Sequence, residues 1–484
     1  MSVTESTTSQ AAQSDRAGVA ARLESALEAS RAAFDRNRDP SYRERREWLK
    51  TLRALLLDNK QRFIDAISSD FGNRSAHETL GAEVLVSDGA IKYMLHHLKD
   101  WMQAEPRHTA LTFAPARVEV RYQPKGVVGV ISPWNYPLQL AIVPIATALA
   151  AGNRVLLKPS ELTPATSDLL ADALHGAFPA DLVQVLTGGP EVGAAFSSLK
   201  FDHLVYTGST HVGRLVMKAA AENLVPVTLE LGGKSPAIVH PGAAFDQAVE
   251  RIAFGKVLNA GQTCVATDYV LVPRQLEDQL VTALQKQIQS FLPTLRDNQD
   301  YTSIINERHH ARIQSLVDDA VAKGAKATSI NAAGEDLGGT RKIAPTLLQN
   351  VSDDMVVMQD EIFGPVLPIV PYDTLEDAIR YVNDRPRPLA LYYFDTNAGR
   401  IDRVIRQTHS GGVGVNEVAL HVAQDDIPFG GIGPSGMGAY HGREGFVSLS
   451  HAKAVMHQRR VRFVQLFNPP YGRTVDTLLN LLVR

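Results

Sequence analysis

The chain has 484 residues, 44% of them hydrophobic and 21% charged, the balance of an ordinary globular protein long enough for two or three domains, each with its own apolar interior. Its 49 Lys and Arg nearly offset its 52 Asp and Glu, leaving a net charge of −3, which argues against a nucleic-acid-binding or polybasic membrane surface. No run approaches the roughly 20 apolar residues of a spanning helix, and the longest candidate, "LQLAIVPIATALAAG", carries Pro144.

The opening "MSVTESTTSQAAQSDRAG" is small and polar, without the basic start and apolar centre of a signal peptide, and reads as a loose tail. With a single cysteine it leads to the expectation of a reducing, cytoplasmic setting. Residues 17–36 and 41–68 then show helical spacing of apolar positions, as in "WLKTLRALLLDNKQRFIDAI". After "VEVRYQP", a short alternating strand, the pattern becomes strand, helix, strand. "GVVGVISP", "RVLLKPS", "LVQVLTG", "HLVYTGS" and "VPVTLELGG" read as buried strands. The helices between them include "TPATSDLLADALHGAF", with Thr163 as cap and Pro164 at its first position. Five apolar strands separated by helices predict a parallel, doubly wound α/β sheet.

A second α/β block starts near Ser235, with the strand "SPAIVH" and the helix "FDQAVERIAFGKVLNAG", and continues through "YVLVP", "FGPVLPIVPY" and "PLALYYFD". Open α/β sheets bind ligands at the carboxyl ends of their strands. The segments placed there are "SPWNYP", "KPSE", "TGGPEVG", "TGSTHVG" and "ELGGKSP". "GSTHVG", Gly208 to Gly213, is similar to a dinucleotide loop without matching G-x-G-x-x-G, and a plain turn explains it as well. Cys264, at the end of "NAGQTC", has no second cysteine to pair with, which leaves an inert buried thiol, a redox sensor or a nucleophile. The histidines in "RHH", "LHH" and "AYHG" lack partners at metal-ligand spacing, so no metal is expected.

"PWNYP", "LKPSE", "TGST", "LELGGKSP", "NAGQTC", "EIFGPVLP" and "PFGGIGPSGMG" occur in an order and spacing that resemble the aldehyde dehydrogenase superfamily across nearly the whole chain. "PLALYYFD", "MGAYHG" and "NPPYG" resemble its class 3 branch, and "DFGNRSAHET" with "HVAQDDIPFGG" resembles bacterial coniferyl aldehyde dehydrogenases. The resemblance implies a Rossmann-like NAD-binding domain over 19–232 after a flexible tail at 1–18, with an oligomerisation strand near 116–124. A catalytic α/β domain at 233–421, a return to the first domain at 422–447, and a second oligomerisation strand with a C-terminal helix at 448–484 complete the implied fold. It further implies Cys264 as nucleophile, Asn135 as oxyanion donor and Glu230 as general base, an acid that members passing their acyl group to coenzyme A generally lack. For the cofactor it implies Lys158 and Glu161 at the adenosine ribose, Gly208 and Ser209 at the pyrophosphate, Glu361 at the nicotinamide ribose and Phe363 near the ring. Glu161 favours NAD, although class 3 members with the same "KPSE" often accept NADP too. Tyr136 and Phe429 are expected to line a funnel for an aromatic or a medium or long aliphatic aldehyde, in a homodimer with no nucleic-acid partner and no membrane span.

Overall fold

The five apolar runs lie side by side in one six-stranded sheet of a computed structural model that describes residues 3–460 and 462–483. The order is Gly436–Met437, Val227–Leu231, His203–Gly208, Val127–Ile131, Arg154–Lys158 and Val183–Val185, all parallel except the short first strand. From Val127–Ile131 the chain builds outward to Val183–Val185 on one side, then returns to lay His203–Gly208 on the other. This reversal opens a crevice at the carboxyl ends of the two central strands. Parallel strands covered on both faces need continuous apolar sequence. Helix Gln139–Ala150, which packs on this sheet, is likewise buried along its whole length.

A second sheet of seven strands runs Lys326–Ser329, Thr346–Gln349, Val366–Tyr372, Tyr269–Pro273, Pro236–Val239, Ala390–Phe394 and Gly412–Val415, parallel apart from the first pair. A third sheet joins distant parts of the chain: Arg117–Pro124 pairs antiparallel with Ser450–His457 along its full length and with Glu105–Arg107 on its other edge.

Three local expectations are revised. The first helix spans Val3–Arg36 and takes in most of the stretch read as a tail. Its packed residues include Val19, Leu23, Ala26 and Leu27. The helical region after residue 41 is two helices, Tyr42–Asp58 and Lys60–Phe71, which meet at Asn59, where φ −103° and ψ 8° depart from the helical values. Thr163 stands at the cap position of Pro164–Ala177 but does not cap it. Asp70 does so instead, accepting from the Ala165 and Thr166 N–H at 3.0 and 2.9 Å.

Among the described residues no helix is long and apolar enough to cross a membrane.

Candidate active site

Helix Phe245–Val257 stops two residues before an unusual run: Asn259, Ala260 and Gly261 all have positive φ, at 51°, 51° and 71°. Two of the three carry side chains, and each such residue costs on the order of 1–3 kcal/mol, so the surroundings must hold the run in place. Asn259 donates through its side chain to the Asn135 and Gln262 carbonyls, and the Gln262 amide donates to the carbonyls of Asn259 and Ser303. The loop delivers Cys264 to the wall of a cavity of about 510 Å³.

That cavity gathers residues far apart in sequence. Glu230, Thr207 and Leu231 come from the ends of two strands of the first sheet, Tyr136 and Gln139 from the segment after Val127–Ile131, and Phe429 and Tyr440 from the returning chain. Asn135, 4% exposed, donates through Nδ2 to the Gln262 carbonyl at 3.2 Å, which ties it to the cysteine loop. One of its two amide N–H groups is thereby used and the other is free. Tyr136 bonds Thr263 across 2.7 Å. Glu230 is buried, with neither carboxylate oxygen bonded to protein. Burial pushes its pKa well above the usual 4.5. Burial, aided by the carboxylates of Glu361 and Glu230, pushes the Cys264 thiol up to about 12.

The cofactor candidates line the crevice of the first sheet and its boundary with the second. Lys158 ends its strand and donates to Glu161 at 2.7 Å. Partial burial works against the charge on Glu161, yet Lys158 keeps its pKa below the ordinary value. Gly208 ends another strand, and Ser209 caps helix Thr210–Ala221 by accepting from the Val212 N–H. Glu361 lies against Gly232, where any Cβ would collide with its carboxylate. Burial, with Asp268 nearby, raises its pKa to about 8, and its Oε1 is buried without a partner. Phe363 sits at φ 49° and meets Trp134 edge-on at 5.3 Å.

Sequence reading missed several wall residues. Glu78, Gly81, Ala82 and Leu85 line the cavity from a segment that leaves no compositional mark. His421 and His441 pack against the Phe429 ring at 5.8 and 5.2 Å. Among the described residues no three His, Cys, Asp or Glu side chains converge as metal ligands would.

The model of the aldehyde dehydrogenase family matches residues 1–455. A probable coniferyl aldehyde dehydrogenase of Pseudomonas aeruginosa is 54% identical, covering 96% of each chain. Aldehyde dehydrogenase family 3 member A2 of mouse is 41% identical over 87% of this chain and 86% of its own. The solved structure of Staphylococcus aureus AldH in a substrate-bound state superposes with a TM-score of 0.90 at 37% identity, covering 96% of this chain and 99% of that one. A Mycobacterium tuberculosis aldehyde dehydrogenase complexed with NAD+ gives 0.81 at 33% identity, covering 90% of both chains.

Proposed function

Because this chain belongs to the aldehyde dehydrogenase family, we propose that it oxidises an aldehyde to the carboxylic acid through a thiohemiacetal and a thioester on Cys264. One observation carries the reading: a single cavity is walled by Cys264, Glu230 and Tyr136, with Asn135 bonded into the cysteine loop behind it. The Cys264 thiol gives its proton to solvent, its sulfur adds to the carbonyl carbon as the C=O π bond opens, and negative charge gathers on the former carbonyl oxygen. The free N–H of Asn135 and the Cys264 backbone N–H stabilise that charge. A bound nicotinamide supplies the acceptor for the hydride that the tetrahedral carbon loses. The thioester left behind is cleaved by water, whose proton Glu230 takes as the oxygen attacks.

The residues present fit a dinucleotide. The orphaned Glu361 oxygen suits a ribose hydroxyl donor, Glu161 beside Lys158 suits the other ribose, and the turn at Gly208 and Ser209 opens a helix of 12 residues toward the crevice. A carboxylate at Glu161 repels a 2′-phosphate and favours NAD, and a structure similar to this one was solved with NAD+.

Cavity size and its largely apolar wall favour a bulky aldehyde. The name of the Pseudomonas aeruginosa relative supports a coniferyl-type aromatic aldehyde, and medium or long aliphatic aldehydes are the second reading. Residues 19–232 with 422–447 take the dinucleotide, 233–421 carry Cys264, and the third sheet serves pairing in a homodimer. The test is NADH formation from an aldehyde without coenzyme A, followed by Cys264→Ala. The variant should bind NAD as the wild type does and lose the dehydrogenase rate, and more than a small residual rate would sink the assignment.

A further inference from the structure

Between Glu78 and Glu83 the helix bonds widen: residues Leu80–Leu85 form a π turn, flanked by helical Ala76–Thr79 and Val86–Trp101. In an α-helix, residues five apart point about 140° away from each other. A turn closed from i to i+5 brings them back onto one face. Both carboxylates accordingly reach inward, each to a different loop of the site. Glu83, fully buried, accepts from the backbone N–H of Leu138 at 2.7 Å and of Gln139 at 3.1 Å, just past Asn135. Glu78 accepts from the backbone N–H of Asn259 at 3.1 and 3.2 Å and from the Thr302 hydroxyl at 2.8 Å. Arg74 closes the circuit: Nη1 lies 2.8 Å from Glu83 Oε1 and donates to the Asn135 carbonyl at 2.9 Å. That carbonyl also receives the Asn259 amide at 3.0 Å. The guanidinium lies over the Tyr136 ring, 4.7 Å from its centroid.

We propose that Arg74, Glu78 and Glu83 are positioning residues that fix the Asn135 amide relative to Cys264, with the π turn placing both carboxylates on the face where they grip the two loops. The arrangement rests on the reading of Asn135 as oxyanion donor. Its physical need is plain: the left-handed Asn259 loop and the segment from Ser132 to Leu138 are both irregular backbone, and an error of about 1 Å between donor and nucleophile costs on the order of 10²-fold in rate. A buried carboxylate accepting backbone N–H groups is a stiff tether, because releasing it would leave both partners unpaired away from water.

The test is a double-mutant cycle in the full-length enzyme with NAD. Glu83→Ala should lower kcat by about 10–100-fold with KM and NAD affinity within about twofold. It should also raise the deuterium isotope effect on kcat with a 1-deuterated aldehyde, since hydride loss from a misplaced adduct becomes limiting. Glu83→Gln, which keeps an oxygen acceptor, should recover part of the rate. In an Asn135→Ala background the same Glu83 change should cost little, because the donor it positions is gone. Equal costs in both backgrounds would overturn the clamp while leaving Asn135 as donor. An Asn135→Ala enzyme with unchanged kcat would overturn the oxyanion reading itself and the clamp with it. Should Glu83→Ala not fold, Glu78→Gln and Arg74→Lys enter the same cycle with the same outcomes.

Discussion

Glu230 is a buried carboxyl with no hydrogen-bond partner among the described residues, and its environment makes two linked predictions. The first concerns chemistry: Glu230→Gln removes the acceptor for the water proton but leaves addition and hydride loss in place, so one equivalent of NADH should appear in a burst before a slow steady state. Damage confined to the burst would show Glu230 acting on the thiol instead. The second concerns stability. Burial raises the folded-state pKa well above 4.5, so the native state binds a proton that the unfolded chain has already lost. Stability from this group is therefore complete below about 4.5 and falls as pH rises toward the folded value. Glu230→Gln has no such loss, so its melting temperature should gain on the wild type from about pH 5 upward. Parallel melting curves for the two proteins across pH would contradict that. At the adenosine end, Glu161→Gln keeps a hydrogen-bonding side chain and removes the charge, so the NADP to NAD ratio of kcat/KM should rise. An unchanged ratio would place Glu161 away from the ribose.

At the scale of elements, the loop before Cys264 is set by backbone rather than by side-chain pattern. A Cβ at Gly261, at φ 71°, would run into the Gly364 carbonyl, so Gly261→Ala should lower the melting temperature by several degrees and cut kcat more than it cuts NAD affinity. Ala260→Gly at φ 51° relieves a strained conformation and should melt no lower than the wild type. Differential scanning calorimetry of both variants decides this, and a Gly261→Ala protein melting with the wild type would refute the collision. These elements also show what sequence reveals. The strand "GVVGVISP" and its neighbours were readable because covered parallel strands are apolar at every position, and the residues following them could be placed at the sheet mouth without coordinates. "NAGQTC" and "LELGGKSP" were readable by resemblance. The π turn was not, since widening a helix by one residue changes no composition. Glu78 and Glu83, five apart, fit no single face of an ordinary helix. The cap from Asp70 to Ala165 joins residues far apart in the chain, a partnership no local pattern announces.

For the molecule as a whole, the edges left open in one chain suit the homodimer proposed above. Strand Ser450–His457 is an edge of its sheet with most of its residues exposed, the kind of edge that accepts another strand. Helix Arg473–Leu482 buries Val475 and leaves Leu479, Leu481 and Leu482 exposed. Apolar residues grouped this way need a surface to cover. Truncation after Gly472 should weaken the proposed self-association in sedimentation velocity, or shift the ratio of kcat/KM for bulky against short aldehydes, with small substrates still oxidised. Unchanged sedimentation together with an unchanged ratio would leave the helix without either role. The pairing of Arg117–Pro124 with Ser450–His457, and of Val227–Leu231 with Gly436–Met437, also bears on synthesis. The first unit is interrupted by the whole of the second, so its early strands emerge from the ribosome and wait for partners that have not been made. At about 5–20 residues per second that wait is on the order of tens of seconds. During it the nascent chain carries unpaired strand edges, and refolding of the finished protein should be slower and more prone to aggregation than that of an α/β chain with contiguous units.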